Sequence, residues 1–243
     1  MIMNNKYDDV IEQQDNRAFR VVEHFISING EGRRAGQLAL FIRFAGCNLR
    51  CDYCDTLWAN DKDVPYESYI EELLIEMIAA SKVKNVTLTG GEPLIQPGMK
   101  ELLGRLRTMR EHRIEIETNG SVDITEFFPE REDFAEDNVT FTVDYKTGAS
   151  GMEQHMCMKN FESVRSVDTV KFVVGDRSDI EKASEIIKEY SLVDKKCGIY
   201  ISPCFGLIEP VEIADYLVKH RLNDVNVQLQ LHKYIWNPDA RGV

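Results

Sequence analysis

The sequence predicts an α/β fold in which parallel strands carry helices on their outer face and enclose a polar lumen. Two patterns predict it. From Pro65 onward helix and strand signatures alternate, and the strand candidates themselves alternate apolar with polar residues. The first pattern needs crossover connections, hence parallel strands with outer helices. The second puts polar side chains on the other face of each strand. Because the crossover helices cover the apolar face, the polar face lines the inside of a curved sheet. An antiparallel sheet with one solvated face is the other reading of the same alternation.

Taken in order, residues 1–19 form a polar, acidic leader, unlike the basic and then apolar start of a signal peptide. An apolar segment at 20–27 leads through the glycine-rich turn INGEGRRAG into a strand at 37–44. Residues 66–80 read as a helix with Ile70, Leu73, Leu74, Met77 and Ile78 on one stripe. A second helix is expected over 178–190, where Ser178 and Glu181 have capping-box spacing. A third is expected from Pro210, a residue type suited to the first helical turn. Strands are expected at 85–89, 113–118, 139–144, 169–174, 198–202 and 224–231. Val86 and Leu88 alternate there with Thr87 and Thr89, Ile114 and Ile116 with Glu115 and Glu117, and Phe141 and Val143 with Thr142 and Asp144. Val225, Val227 and Leu229 continue the pattern against Asn226, Gln228 and Gln230. No repeat, low-complexity tract or linker divides residues 20–243, which read as one domain.

Composition narrows the function. Forty-one acidic against 29 basic residues give a formal charge of -12, which argues against a nucleic-acid binder, since that task needs a basic footprint. No run of 18 apolar residues exists, and the stretch 38–46 is short and broken by Arg43. A cytoplasmic protein with no membrane partner is expected.

Of six cysteines, Cys47, Cys51 and Cys54 crowd into eight residues while Cys157, Cys197 and Cys204 are scattered. The scattered three read as small buried hydrophobes. Three thiols on one loop fall one short of a structural zinc site; a distant Cys or His completing such a site is the plainer alternative. An iron–sulfur cluster held by three cysteines keeps one iron open to an outside ligand. The next strand ends in Thr89-Gly90-Gly91-Glu92-Pro93. Its glycines permit close backbone approach to a ligand, and Glu92 offers an acceptor for an ammonium group. Alone, an ordinary strand-to-helix turn explains that segment equally well.

Together, the Cys-x3-Cys-x2-Cys loop and the GGEP turn resemble the radical S-adenosylmethionine (SAM) superfamily. A narrower likeness spans roughly residues 20–243. Ser27 to Gly32, Phe41 to Cys47 and Cys54-Asp55-Thr56 resemble the opening of the 7-carboxy-7-deazaguanine synthase family. Glu117-Thr118-Asn119-Gly120, Asp144-Tyr145-Lys146, Ser150-Gly151-Met152, Ile201-Ser202-Pro203 and Gln230-Leu231-His232-Lys233 continue it. Two departures are Asn29, where the family often has Gln, and Thr147-Gly148-Ala149, where it is richer in serine and proline.

The resemblance implies a partial (β/α) barrel, open at one side, with its site at the C-terminal ends of the strands. It implies a carbon–nitrogen lyase that converts 6-carboxy-5,6,7,8-tetrahydropterin to 7-carboxy-7-deazaguanine with loss of ammonia, in queuosine and 7-deazapurine biosynthesis. The implied cofactors are a [4Fe-4S] cluster on Cys47, Cys51 and Cys54, SAM, and Mg2+ on Thr56. SAM is expected against Tyr53, Cys54, Asp55, Gly91, Glu92, Asp144, Tyr145, Lys146, Ser202, Pro203, Cys204 and Phe205. The pterin is expected against Ile28, Asn29, Gly30, Arg43, Thr89, His232 and Lys233, with Arg43 suited to a carboxylate because a guanidinium binds one with two parallel hydrogen bonds. A reductase or flavodoxin-type electron donor and a homodimer are implied as partners. Structural ion pairing of Arg43, a surface position for His232 and Lys233, and a backbone hydrogen bond from Thr56 are the plainer readings of those residues. Two other functions remain open on sequence: a radical SAM activase acting on a glycine of a partner protein, and a non-catalytic zinc-stabilised binding module.

Overall fold

A computed structural model describes residues 18–61, 63–130, 136–238 and 240–243. The expected leader lies outside the described residues except for its last two positions, and Phe19 already belongs to a strand. Among the described residues the strands are β1 (Phe19–Ile28), β2 (Leu38–Phe44), β3 (Glu67–Tyr69), β4 (Asn85–Gly90), β5 (Arg113–Thr118), β6 (Val139–Lys146), β7 (Thr169–Val174), β8 (Gly198–Pro203) and β9 (Asn226–Val227). They form one open sheet in the order β3-β1-β2-β4-β5-β6-β7-β8-β9. From β2 to β9 neighbours are parallel, whereas β1 runs antiparallel to both β2 and β3. The expectation of parallel strands therefore holds for the barrel proper and fails at its first edge, where a hairpin-like return begins the sheet.

The alternation along the strands has the expected cause. Val86, Leu88, Ile114, Ile116, Phe141 and Val143 are fully buried under the helices, and Thr87, Glu115, Thr142 and Asp144 are buried on the opposite, inner face. At the last strand the pattern breaks. Only two residues pair as β9, and Val227 is 38% exposed. The Gln228 side chain instead exchanges hydrogen bonds with both backbone groups of Gly32, at 2.8 and 3.0 Å.

The helices are α1 (Glu71–Ser81), α2 (Met99–Leu106), α3 (Lys159–Ser163), α4 (Arg177–Glu189), α5 (Pro210–His220) and α6 (His232–Ile235). The helix expected from residue 66 begins at Glu71, because residues 67–69 fill the free edge of β1 as β3. Ile70 and Leu73 are consequently exposed, and the buried stripe is Leu74 and Ile78. The cap of α4 is Asp176 rather than Ser178: its carboxylate accepts from Asp179 N at 3.0 Å and from Ser178 Oγ at 2.6 Å. Glu181 pairs with Arg177 at 3.1 Å, so the expected capping box is not formed. Pro210 opens α5 as expected. No helix among the described residues is long and apolar enough to cross a membrane.

The connection between β1 and β2 bridges the two ends of the sheet. Besides the Gly32–Gln228 pair, Arg33 Nη2 donates to Ser166 O at 2.7 Å and Asp168 O at 2.8 Å, and Glu31 meets Lys171 at 3.2 Å. Asp168 is the anchor of that side. Its fully buried carboxylate accepts from Phe141 N at 2.9 Å, Arg165 N at 2.9 Å, Arg165 Nε at 2.8 Å and Arg165 Nη2 at 2.7 Å. Its carbonyl accepts from Gly198 N at 2.9 Å, so one residue ties β6, β7 and β8 together.

Removing Asp168 takes the acceptor from Phe141 N, Arg165 N and two guanidinium nitrogens in a low-dielectric site, although Arg165 keeps Asp137 at 2.8 Å. Asp168→Ala should therefore lower unfolding free energy by about 3 to 5 kcal/mol in urea titrations, and Asp168→Asn by less. A loss below about 1 kcal/mol in Asp168→Ala, the range of exposed pairs, would show that Arg165 finds other compensation.

Candidate active site

The cysteine loop leaves β2 at Gly46, whose positive φ of 85° favours glycine, and returns where Gly46 N donates to Ala59 O at 2.9 Å. Gly91 N donates to Phe44 O at 3.1 Å and Glu92 N to Gly46 O at 2.8 Å. A Cβ on Gly91 would meet the Gly46 carbonyl oxygen at 1.9 Å. The glycines of the GGEP turn thus let β4 close against the root of the cysteine loop, and Gly91 also lines the cavity beside it. Glu92 is placed differently. It is fully buried, and its carboxylate accepts from Leu94 N at 3.0 Å, Thr118 Oγ1 at 2.8 Å and Asn119 N at 2.7 Å. It takes no part in the cavity wall, so the expected contact with an ammonium group is replaced by bonds to the ends of β4 and β5. Burial pushes its carboxyl up to about 7 against those three donors.

A cavity of about 1090 Å³ opens at the C-terminal ends of the strands. Cys47, Cys51 and Cys54 line it, each half-buried and free of any disulfide. Tyr53, Asp55, Thr56, Gly91, Asp144, Lys146, Cys204 and Phe205 share the wall, as do Ile28, Gly30, Arg43, Thr89, His232 and Lys233. Besides Glu92, four expected residues do not. Tyr145 points away because side chains alternate along β6; it packs edge-on against Phe161 and donates to Glu153 at 2.9 Å. Ser202 and Pro203 are buried behind the wall, and Asn29 is buried with its Oδ1 accepting from Thr87 at 3.0 Å.

The segment that follows β1 meets α6 here. A Cβ on Gly30 would lie 2.3 Å from His232 Nδ1, and Leu231 N donates to Gly30 O at 3.1 Å. Burial lowers the His232 pKa, against the pull of Glu31 and Asp55. Lys233 reaches Asp55 at 3.3 Å on the cysteine loop. Packing alone would raise the Asp55 carboxyl, but Lys233, then His232 and Arg43, outweigh it and hold the pKa below the usual range. Arg43 pairs with Glu23 directly across the β1–β2 ladder, its Nε 2.7 Å from Glu23 Oε1, and its Nη groups bond to nothing among the described residues.

The floor is charged and compensated. Lys146 lies 2.6 Å from Asp144 Oδ2, and Lys171 lies 3.8 Å from the same oxygen. Burial by itself would lower both ammonium pKa values; Asp144 for Lys146, and Glu31 with Asp144 for Lys171, raise them above normal. Both lysines are therefore cations. Sequence inspection passed over Lys171, although a lone cation in the apolar strand TVKFVV is the same signal that Arg43 gives in LALFIRF. It also passed over Asn60, Trp58 and residues 237, 238 and 240–243, all of which line the cavity or its mouth; Arg241 lies 4.3 Å over the Trp58 ring.

The donor set fits a cluster and a polar ligand. Burial raises the Cys47 thiol and pushes Cys51 up to about 11, so iron loading must displace protons from neutral thiols. N–H groups already face the sulfurs: Leu49 N and Asn119 Nδ2 donate to Cys47 Sγ at 3.4 Å each, and Asn60 Nδ2 to Cys54 Sγ at 3.7 Å. Among the described residues no three His, Cys, Asp or Glu side chains lie close enough to share one metal ion; a cluster that takes one thiolate per iron does not require it. Asp144 Oδ1, Tyr53 Oη, Glu31 Oε1 and Ser202 Oγ are buried without a partner in or behind the wall. Buried polar atoms are otherwise nearly always satisfied, so these fit a ligand rich in hydroxyl and amino groups.

Comparison with known proteins agrees with this chemistry. Residues 41–148 match the family model of the radical SAM superfamily. A 7-carboxy-7-deazaguanine synthase from Clostridium acetobutylicum is 51% identical over 225 residues, which cover 93% of this chain and 99% of the relative. One from Chlorobaculum tepidum is 36% identical over 92% of this chain and 96% of its own length. The crystal structure of QueE from Escherichia coli superposes with a TM-score of 0.65 over 90% of this chain and 96% of that one, at 22% identity, and so shares the fold.

The position of Glu92 generates a pH test. With a folded pKa near 7 against an ordinary 4.5, the folded protein holds a proton between pH 4.5 and 7 that the unfolded chain has released. Stability from this group is greatest below that window and falls as pH rises through it. Glu92→Gln cannot titrate, so the parent should lose about 2 to 3 kcal/mol relative to the variant between pH 4.5 and 7.5 in urea titrations. A difference that stays constant with pH would show that Glu92 titrates normally.

Proposed function

We propose a reaction for this chain, which belongs to the 7-carboxy-7-deazaguanine synthase family within the radical SAM superfamily. It converts 6-carboxy-5,6,7,8-tetrahydropterin to 7-carboxy-7-deazaguanine with loss of ammonia, as a carbon–nitrogen lyase of queuosine and 7-deazapurine biosynthesis. The observation that carries this reading is the meeting, on one cavity, of the cysteine triplet, Arg43 and the His232–Lys233 segment.

A [4Fe-4S] cluster and SAM, when bound, supply the one-electron chemistry that starts a hydrogen abstraction. Cys47, Cys51 and Cys54 would hold the cluster. Tyr53, Cys54, Asp55, Gly91, Asp144, Lys146, Cys204 and Phe205 form the wall offered to SAM. Asp144 is prepared for a hydroxyl donor there, since Lys146 and Lys171 occupy one oxygen and leave Oδ1 unpaired. Ile28, Gly30, Thr89, His232 and Lys233 form the wall offered to the pterin. Arg43 is held through Nε by Glu23, which leaves its end-on pair of N–H groups for the substrate carboxylate.

Thr56 is the residue proposed to hold Mg2+. Its Oγ1 lies 3.6 Å from Cys54 Sγ, on the cavity wall between the cluster loop and the pterin side. A neutral hydroxyl as the protein's only ligand suits a cation that keeps several waters and completes its shell with substrate. An external one-electron donor of the reductase or flavodoxin type and a homodimeric state, both carried over from the family, complete the proposal.

Two measurements check it. Anaerobic incubation with the carboxy-tetrahydropterin, SAM, Mg2+ and dithionite should yield 7-carboxy-7-deazaguanine and ammonia; iron-loaded protein that yields neither would sink the reading. Thr56→Ala should keep its iron yet lose the Mg2+ stimulation of turnover, and a variant still stimulated like the parent removes Thr56 as the ligand.

A further inference from the structure

The Asn119 side chain is fixed at every polar atom. Its backbone N–H donates to Glu92 Oε2 at 2.7 Å. Its Oδ1 accepts from both Ser121 N at 2.9 Å and Ser121 Oγ at 2.6 Å. Two donors on one end of an amide settle which end is oxygen, so the NH2 end is the one that faces the cysteine loop. There it donates to Cys47 Sγ at 3.4 Å and to Asn48 Oδ1 at 3.0 Å. The residue is 9% exposed, and the second donor on the same sulfur, Leu49 N, is backbone.

We infer that Asn119 is a positioning residue that sets the electron affinity of the iron–sulfur cluster through its N–H bond to Cys47 Sγ. The inference rests on the cluster assignment proposed above. When one electron reduces [4Fe-4S]2+ to [4Fe-4S]+, the added negative charge spreads onto the sulfur ligands. An N–H donor at a ligand sulfur stabilises that reduced form more than the oxidised one and so raises the potential. A donor already aimed by the fold costs no ordering when the cluster arrives, because Ser121, Asn48 and Glu92 hold the amide in place. Asn60 does the same for Cys54 from a longer 3.7 Å, with nothing on its buried Oδ1 to fix the amide, which makes it the weaker of the two.

The test is a redox titration of the reconstituted protein without SAM, with dithionite as electron donor and the EPR signal of the reduced cluster as readout. Iron content and thermal unfolding are measured beside it. Asn119→Ala should load the same iron as the parent but hold about tenfold less reduced cluster at a fixed potential, a shift of about 59 mV to more negative values for one electron. Asn119→Asp keeps the Oδ1 acceptor for Ser121 and turns a negative oxygen toward the sulfur, so its shift should be larger and in the same direction. Should the Asn119 variants fail to retain iron, Ser121→Ala decides the matter. It leaves Asn119 in place and removes one of the two donors on its Oδ1, the Ser121 backbone N–H remaining, so the amide is held less firmly and the potential should fall by a smaller amount. Unchanged potential in iron-loaded Asn119→Ala, or in Ser121→Ala where that variant has to decide, overturns the inference and leaves the proposed reaction untouched. A parent protein that takes up no cluster overturns the assignment beneath both.

Discussion

The Glu92 carboxylate lies between the ends of β4 and β5 with no access to water, and three donors from Leu94, Thr118 and Asn119 converge on it. Its own N–H holds the Gly46 carbonyl, one residue before the first cysteine. A buried carboxyl group without partners costs several kcal/mol or so, so the three strand ends must stay together once it is inside. From that closure follow the short contact that only glycine permits at residue 91, the direction in which the cysteine loop leaves the sheet, and the placement of Asn119 against Cys47. The same carboxylate read as a ligand contact in sequence is thus the joint on which the cysteine-loop side of the cavity is hung.

The rest of the cavity is organised by charges that cancel in pairs. Lys146 and Lys171 answer Asp144 and Glu31, Lys233 answers Asp55, and Arg43 answers Glu23. Each pairing uses only part of a multivalent group: one oxygen of Asp144, one of Glu31, one nitrogen of Arg43. A polar cavity built in this way stays rigid without a ligand and still presents directional acceptors and donors to one. It also keeps a chain of net charge -12 from presenting a uniformly negative wall to an anionic substrate.

Much of this was legible in the sequence, for reasons that differ by element. Strands 113–118 and 169–174 coincide with β5 and β7 because one face meets helices and the other the lumen, which writes a two-residue period. The triplet and the INGEG and His-Lys segments were recognisable as chemistry, and they share one cavity. Residues 66–70 misled because their spacing suits a helix while the free edge of β1 selects a strand. Helix α2 went unread although Met99, Leu102, Leu103 and Leu106 form one buried stripe, because it spans only eight residues. Glu92 shows the limit more sharply: residue type and spacing cannot say whether a carboxylate's donors come from a ligand or from strand ends 26 and 27 residues away.

The connection at residues 29–37 has a consequence for how the protein is made. Its bonds to Gln228 span 196 residues and those of Arg33 to the start of β7 span 133 or more. Contacts of such separation carry a heavy loop-closure cost and form late. During synthesis the cysteine loop can dock on β4 and β5 long before residue 228 has left the ribosome, since chains are made from the N-terminus onward. The cysteine-loop side of the cavity therefore begins to form while the side lined by His232 and Lys233 still lacks a wall. A nascent chain at that stage exposes three thiols beside unfinished sheet, which makes the interval between translation of β5 and of β9 the period in which oxidation or mismetallation is most damaging.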